Sequence, residues 1–218
     1  MAAISAIALA SCQPAADSKA VPAPGARDTR SGVRTNLYQC EGCEGAAEAD
    51  AATLTNSATI GPGIDRGEPL TIDGTVYQTD RKTPAAGVVI YAYQTNAEGR
   101  YANGTPATEA SRRHGRLRGW VKTGADGRYH FDTIKPAPYP NDTIPAHIHL
   151  TVLEPERRPY WIDDIVFDGE FGVTNAYRRS VDNKGGNGIV QATRQPDQSW
   201  RVQRDILLER HPSEVPGQ

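Results

Sequence analysis

From Leu70 onward the chain is a succession of short segments with β character, cut by glycine and proline. This pattern limits the fold more than any other feature of the sequence. "LTIDGTVYQ" (70–78) alternates, with Leu70, Ile72, Gly74, Val76 and Gln78 in one phase. Successive side chains of a strand point to opposite faces, so a period of two marks a sheet packed on one side. "GVVIYAYQT" (87–95), "LRGWVKT" (117–123), "GRYHFDT" (127–133), "AHIHLTVL" (146–153), "YWIDDIVF" (160–167), "GIVQATR" (188–194) and "SWRVQRDILL" (199–208) bring the count to about eight strands. The "GADG" between the third and fourth of these reads as a hairpin turn. Only "TNAYRRSVD" (174–182) reads as helix, and it is short. Many short strands at even spacing predict an all-β, antiparallel sandwich or barrel with little helix.

The length of 218 residues suits one domain plus tails. A net charge of −2 supplies no general attraction to nucleic acid or to anionic lipid. The first eleven residues are apolar and small, too few to span a bilayer, and have the length of a signal-peptide core. "LASC" resembles the lipobox of bacterial lipoproteins, which makes Cys12 the expected lipidation site, although no Lys or Arg precedes it. The expected location is therefore the periplasm or cell envelope, with membrane contact only through that lipid. Residues 13–36 have the composition of a tether. Cys40 and Cys43 follow in a C-x-x-C spacing with no second pair to complete a zinc site, and in an exported chain a local disulfide is the simpler account. The expected layout is a signal over 1–12, a tether and Cys-containing segment over 13–69, a sandwich over 70–210 and a tail over 211–218.

Chemistry enters at "PAHIHL". His147 and His149 share one strand face, while Ala146, Ile148 and Leu150 take the other. Two imidazoles at this spacing can reach one metal ion, or can be the solvated face of an ordinary strand. Tyr139 lies eight residues earlier between Pro138 and Pro140, which stiffen the backbone around it. Tyr101 closes the strand and loop "YQTNAEGRY". Phenolate oxygen beside imidazole suits a hard, strongly Lewis-acidic centre such as Fe(III).

The texts "IDGTVYQTDRKTPAAGVVIYAYQT" and "VKTGADGRYHFDTIKPAPY" are similar to the prealbumin-like sandwich modules of secreted proteins. Together with "PAHIHL", "FDGE" and the closing "WRVQRDILL", the chain resembles the intradiol ring-cleavage dioxygenases, nearest the protocatechuate 3,4-dioxygenase-like branch. That resemblance implies ferric iron held by Tyr101, Tyr139, His147 and His149, with a catechol and O2 as small-molecule partners. It makes Tyr139 and His149 the axial pair, and Tyr139 the ligand that the substrate displaces and that helps remove its protons. The product implied is a muconate-type diacid. It also admits a homo-oligomeric assembly. The sequence departs from the family pattern at two places: Ile144 stands where an Arg normally precedes the motif, and Asp164 stands where a Gln-type partner is usual. Asp164 and Arg118 are the expected substrate-binding residues, with Arg116 or Arg118 as the source of the missing positive charge. His130 is expected at a surface or edge, His114 in a solvated basic loop, and His211 in a disordered tail. The competing readings are a non-catalytic prealbumin-like binding or envelope module with a vestigial metal site, and a copper- or zinc-binding protein.

Overall fold

The computed structural model describes residues 32–40, 42–61, 66–103 and 109–212, with 110 and 111 described by backbone alone. Its strands are β1 (Ser57–Thr59), β2 (Pro69–Tyr77), β3 (Val89–Gln94), β4 (Arg118–Lys122), β5 (Arg128–Ile134), β6 (His147–Leu153), β7 (Tyr160–Phe167), β8 (Ile189–Val190), β9 (Thr193–Arg194), β10 (Trp200–Gln203) and β11 (Ile206–Leu207). Helices are few: a 3-10 turn (Cys43–Ala47), α1 (Glu109–His114) and α2 (Asn175–Ser180). They form two sheets, β1-β5-β2-β10-β9 with β11 also on β2, and β4-β3-β6-β7-β8. The expected all-β sandwich is thus the observed one.

Alternation decides which face of each strand enters the core. Along β2, Leu70, Ile72, Gly74 and Val76 are buried in turn. Ile148 and Leu150 of β6 join Ile90, Ala92, Phe131, Ile162 and Val202 in one cluster between the sheets. The central strands pair antiparallel, but β1, β8, β10 and β11 each add to a neighbour in parallel. Two expected runs break: 188–194 becomes β8 and β9, and 199–208 becomes β10 and β11.

Three local expectations change. The "GADG" turn does form, with Gly127 N–H donating to the Gly124 carbonyl, yet β4 and β5 lie in different sheets. It is a corner between layers rather than a hairpin. Residues 32–40 and 42–61, part of the expected tether and Cys-containing segment, pack on the sandwich: Val33 and Leu37 are buried, and β1 extends the first sheet beside β5. Arg34 is fully buried and pairs with Asp182 and with Glu209, the latter at 3.1 Å. His211, expected to be disordered, is 2% exposed, with Nε2 2.8 Å from Glu154 and Nδ1 bonded to Tyr38. Both ends of the described chain are therefore fastened to each other through buried polar contacts. No helix among the described residues is long and apolar enough to cross a membrane.

Candidate metal centre

The second sheet turns one face inward and the other toward the 3-10 turn Cys43–Ala47 and two loops. His147 and His149 sit on that outer face. Opposite His149 the β6–β7 register shifts, since Ile148 pairs with Ile165 but Leu150 with Ile162, so Asp163 and Asp164 together face one residue of β6. A bulge of this kind re-aims side chains beside a site.

The two tyrosines arrive on loops that are stitched together. Asn96 N–H donates to the Arg100 carbonyl, Ala137 N–H to the Asn96 carbonyl, and Thr95 Oγ1 to the Ala137 carbonyl at 2.8 Å. Gly99 has φ +72°, and a Cβ there would fall 2.0 Å from the Pro138 carbonyl oxygen. Only glycine permits that approach, and it seats the Tyr101 turn against the Tyr139 loop. Arg116 N–H holds the Ala102 carbonyl at 2.7 Å and fixes the other side of Tyr101.

The four side chains close a circuit. Tyr101 Oη is 2.6 Å from Tyr139 Oη and 2.8 Å from His149 Nε2. Tyr139 Oη is 3.2 Å from His147 Nε2, and the two Nε2 atoms are 3.1 Å apart. The opposite ring nitrogens are already engaged: His147 Nδ1 lies 2.7 Å from the Pro145 carbonyl, and His149 Nδ1 lies 3.1 Å from Asp164 Oδ1. Both partners only accept, so each Nδ1 carries the proton and each Nε2 presents a lone pair. Burial, then the neighbouring His149, lowers the pKa of His147. Burial, then Tyr139, raises that of Tyr101, which holds its phenol protonated unless a cation intervenes.

The circuit is then short of protons. Four close contacts join the four atoms, and only the two phenolic hydrogens are available to fill them. The Nε2 pair in particular brings two acceptors together with nothing between. A cation at the centre removes the conflict, because donors around one metal ion lie roughly 3 Å apart when each bond is about 2 Å. The chemistry of the set, two phenols and two imidazoles, fits a hard trivalent ion.

Other expected site residues are placed differently. Asp164 stands behind His149, on its Nδ1 side, and so is outside the circuit. Burial raises its pKa, but the electrostatic attraction and hydrogen bond of the His149 Nδ1–H prevail and hold it below the usual carboxylate range. A His-His-Asp triad on one metal is therefore not the arrangement, although the three residues are close. Arg118 lies on β4, separated from His149 by Tyr93 of β3, and bonds Glu48 at 2.7 Å beside the Trp120 ring. His114, expected in a solvated loop, is 3% exposed. Its ring stacks on Tyr93 at 3.9 Å, its Nδ1 meets Tyr91 Oη at 2.7 Å, and burial lowers its pKa to about 4. Tyr93 stacks in turn on His149 at 4.4 Å. Tyr93 was not legible as a site residue; the strand phase that it shares with its cross-strand neighbour His149 is the signal that could have found it. Cys40 and Cys43 are joined by a disulfide, and the 3-10 turn that follows covers Tyr91 and Trp120, with Trp120 Nε1 donating to the Gly45 carbonyl at 2.8 Å.

Comparison with known proteins points to a dioxygenase family. The sequence model of the Dioxygenase family matches residues 43–209. A catechol 1,2-dioxygenase of Acinetobacter lwoffii is 36% identical over 115 residues, 45% of this chain and 36% of that protein. A 6-chlorohydroxyquinol 1,2-dioxygenase of Cupriavidus pinatubonensis is 28% identical over 212 residues, 81% of this chain and 68% of the relative. The chain thus spans only about a third of the length of the first. Among solved structures, the catechol 1,2-dioxygenase of Acinetobacter sp. ADP1 superposes with TM-score 0.55 at 21% identity, over 75% of this chain and 60% of that one. The dioxygenase domain of a carbohydrate-binding fusion protein from Streptomyces sp. SirexAA-E gives TM-score 0.52 at 23% identity, over 70% and 87%. At these identities the structures speak to fold alone.

Proposed function

We propose that this chain, which belongs to the intradiol ring-cleavage dioxygenase family, opens a catechol-type ring between its two hydroxyl-bearing carbons with O2. Both oxygen atoms enter the product, a muconate-type diacid, so no external reductant is needed. The observation that carries the reading is the proton deficit around Tyr101, Tyr139, His147 and His149. Ferric iron bound there would ionise the phenols and draw electron density from the substrate, opening it to O2.

The residues have separable tasks. Tyr101 is anchored through the backbone of its loop, and His147 and His149 rise from a central strand, so these three hold position. Tyr139 rests on a loop, and its contact with His147 is the longest of the circuit at 3.2 Å. It is the group suited to give up its place and take a catechol proton at Oη. His147 and His149 keep their Nδ1 protons on Pro145 and Asp164 throughout, and move no proton themselves.

The test is metal analysis with a visible spectrum. Ferric iron on two tyrosinates gives a coloured protein, and anaerobic catechol should shift the band. Oxygen uptake should then match catechol consumed, with a muconate rather than a semialdehyde as product. A colourless protein holding one iron per chain refutes the ligand set. We also infer an envelope location, supported by the Cys40–Cys43 disulfide and by the "LASC" text. Cys12 lies outside the described residues, and labelling with a fatty acid in cells, lost in Cys12→Ala, tests its lipidation.

A further inference from the structure

The site contains an acid that the four-donor circuit leaves aside. Asp164 Oδ1 is 3.1 Å from His149 Nδ1, on the side of the imidazole away from the tyrosines. The β6–β7 register shift brings Asp163 and Asp164 opposite this one residue. The other imidazole is backed differently: His147 Nδ1 meets the neutral carbonyl of Pro145 at 2.7 Å. Of the two ring donors, His149 alone has a carboxylate behind it. Its ring is also held on its face, by Tyr93 at 4.4 Å with 24° between planes, and Tyr93 is backed by His114 at 3.9 Å and 14°. Edge and face together leave the His149 ring no free rotation.

We propose that Asp164 is a positioning residue that fixes the ring and tautomer of His149 and, through its charge, tilts the site toward uncharged catechols over carboxylated ones. This rests on the ferric reading above. A carboxylate on the far nitrogen makes an imidazole a stronger donor. The bound cation is then less electron-poor. The same charge sits one ring away from the centre, inside a partly buried site where screening is weak. A ring that brings its own carboxylate meets repulsion there, and an uncharged ring does not.

The iron-loaded full chain tests this with Asp164→Asn, which retains an acceptor of the same shape without the charge. The expected result has three parts. Iron is lost to a chelator about 10–100-fold faster. The tyrosinate band moves to lower energy, because a more electron-poor cation accepts the transferred electron more readily. In anaerobic titrations, protocatechuate gains affinity relative to catechol by several-fold. Asp164→Glu, which restores the charge on a longer arm, should return the band toward the wild-type position. An Asn variant that melts like the wild type and matches its band, its iron release and its affinity ratio overturns the proposal. So does a Glu variant that behaves as the Asn variant does. If the wild type itself forms no coloured ferric complex, the metal reading fails instead, which separates the two outcomes.

Discussion

The molecule holds two histidines beside aspartates on the outer faces of its two sheets, and they are put to different uses. His130 on β5 has Nδ1 2.9 Å from Asp73 and Nε2 3.3 Å from Asp132, while Arg201 closes on Asp73 at 2.8 Å. His149 on β6 has one nitrogen on Asp164 and turns the other to Tyr101, Tyr139 and His147. Burial works against charge on His130, but its two carboxylates outweigh it and raise the pKa. A ring with both nitrogens committed to carboxylates is a cation in an ion-pair network. A ring with one nitrogen anchored and the other presented among acceptors suits a ligand, the role proposed for His149. Residue type, the Asp partner and nearly the exposure are shared, at 32% for His130 and 26% for His149; what differs is what the second nitrogen meets. On the first face it meets another carboxylate, Asp132, whereas on the second it meets Tyr101 and His147 beneath the 3-10 turn and the Tyr101 and Tyr139 loops, the roof of that face.

The sharpest way to break this contrast is to remove each ring. His149→Ala should lose the tyrosinate band and all ring-opening above background, while His130→Ala should keep both. A coloured, active His149→Ala protein would end the distinction. Next in size is the fastening of the roof. Arg34→Met removes a fully buried cation from buried Glu209 and half-buried Asp182, and breaking such a pair costs about 3 kcal/mol or more. Thermal melting checks it, and a fall of less than a degree would mean those acids find water. Gly45→Val is gentler. A Cβ at Gly45 would lie 2.5 Å from the Tyr91 ring, so the turn must lift, at about 1–3 kcal/mol. Iron retention should fall with it if the roof matters to the site, and His130 pairing should not change.

The same contrast explains what could be read from the sequence. The packed phase of β2 and the shared face of His147 and His149 follow from a period of two, and the structure has both. Tyr101 and Tyr139 came forward through resemblance, since no local pattern brings two loops together; the Gly99 approach to Pro138 does so, and it is a long-range contact. Asp164 was expected at the substrate because it stands where the resembled family has a Gln-type partner, and that correspondence does not say which ring nitrogen of His149 it meets. The register shift that decides this is a property of two strands, invisible in either. His114 read as part of a solvated basic loop and His211 as part of a disordered tail after the last strand, yet each is buried by distant segments, the first under Glu44 and Tyr93 and the second against Tyr38 and Glu154. The "GADG" corner shows the same limit: a turn is local, but which sheet the chain enters afterwards is not.

The smallest predicted effect concerns the His130 face and is one of sign. The folded-state pKa of His130 is raised, so its pairing stabilises the fold fully below the unfolded value near 6.5 and is lost as pH rises through the folded value. The ring is about a third exposed, so the expected contribution is ~0.5 kcal/mol and is weakened further by salt. His130→Gln should therefore melt below the wild type at pH 5.5 and low salt, and together with it at pH 8.5. A gap that stays constant across that range would mean the side chain acts by packing and not by charge. A gap that widens toward pH 8.5 would mean that His130 stabilises the fold as a neutral ring, and the contrast between cationic His130 and ligating His149 would then lose its electrostatic basis.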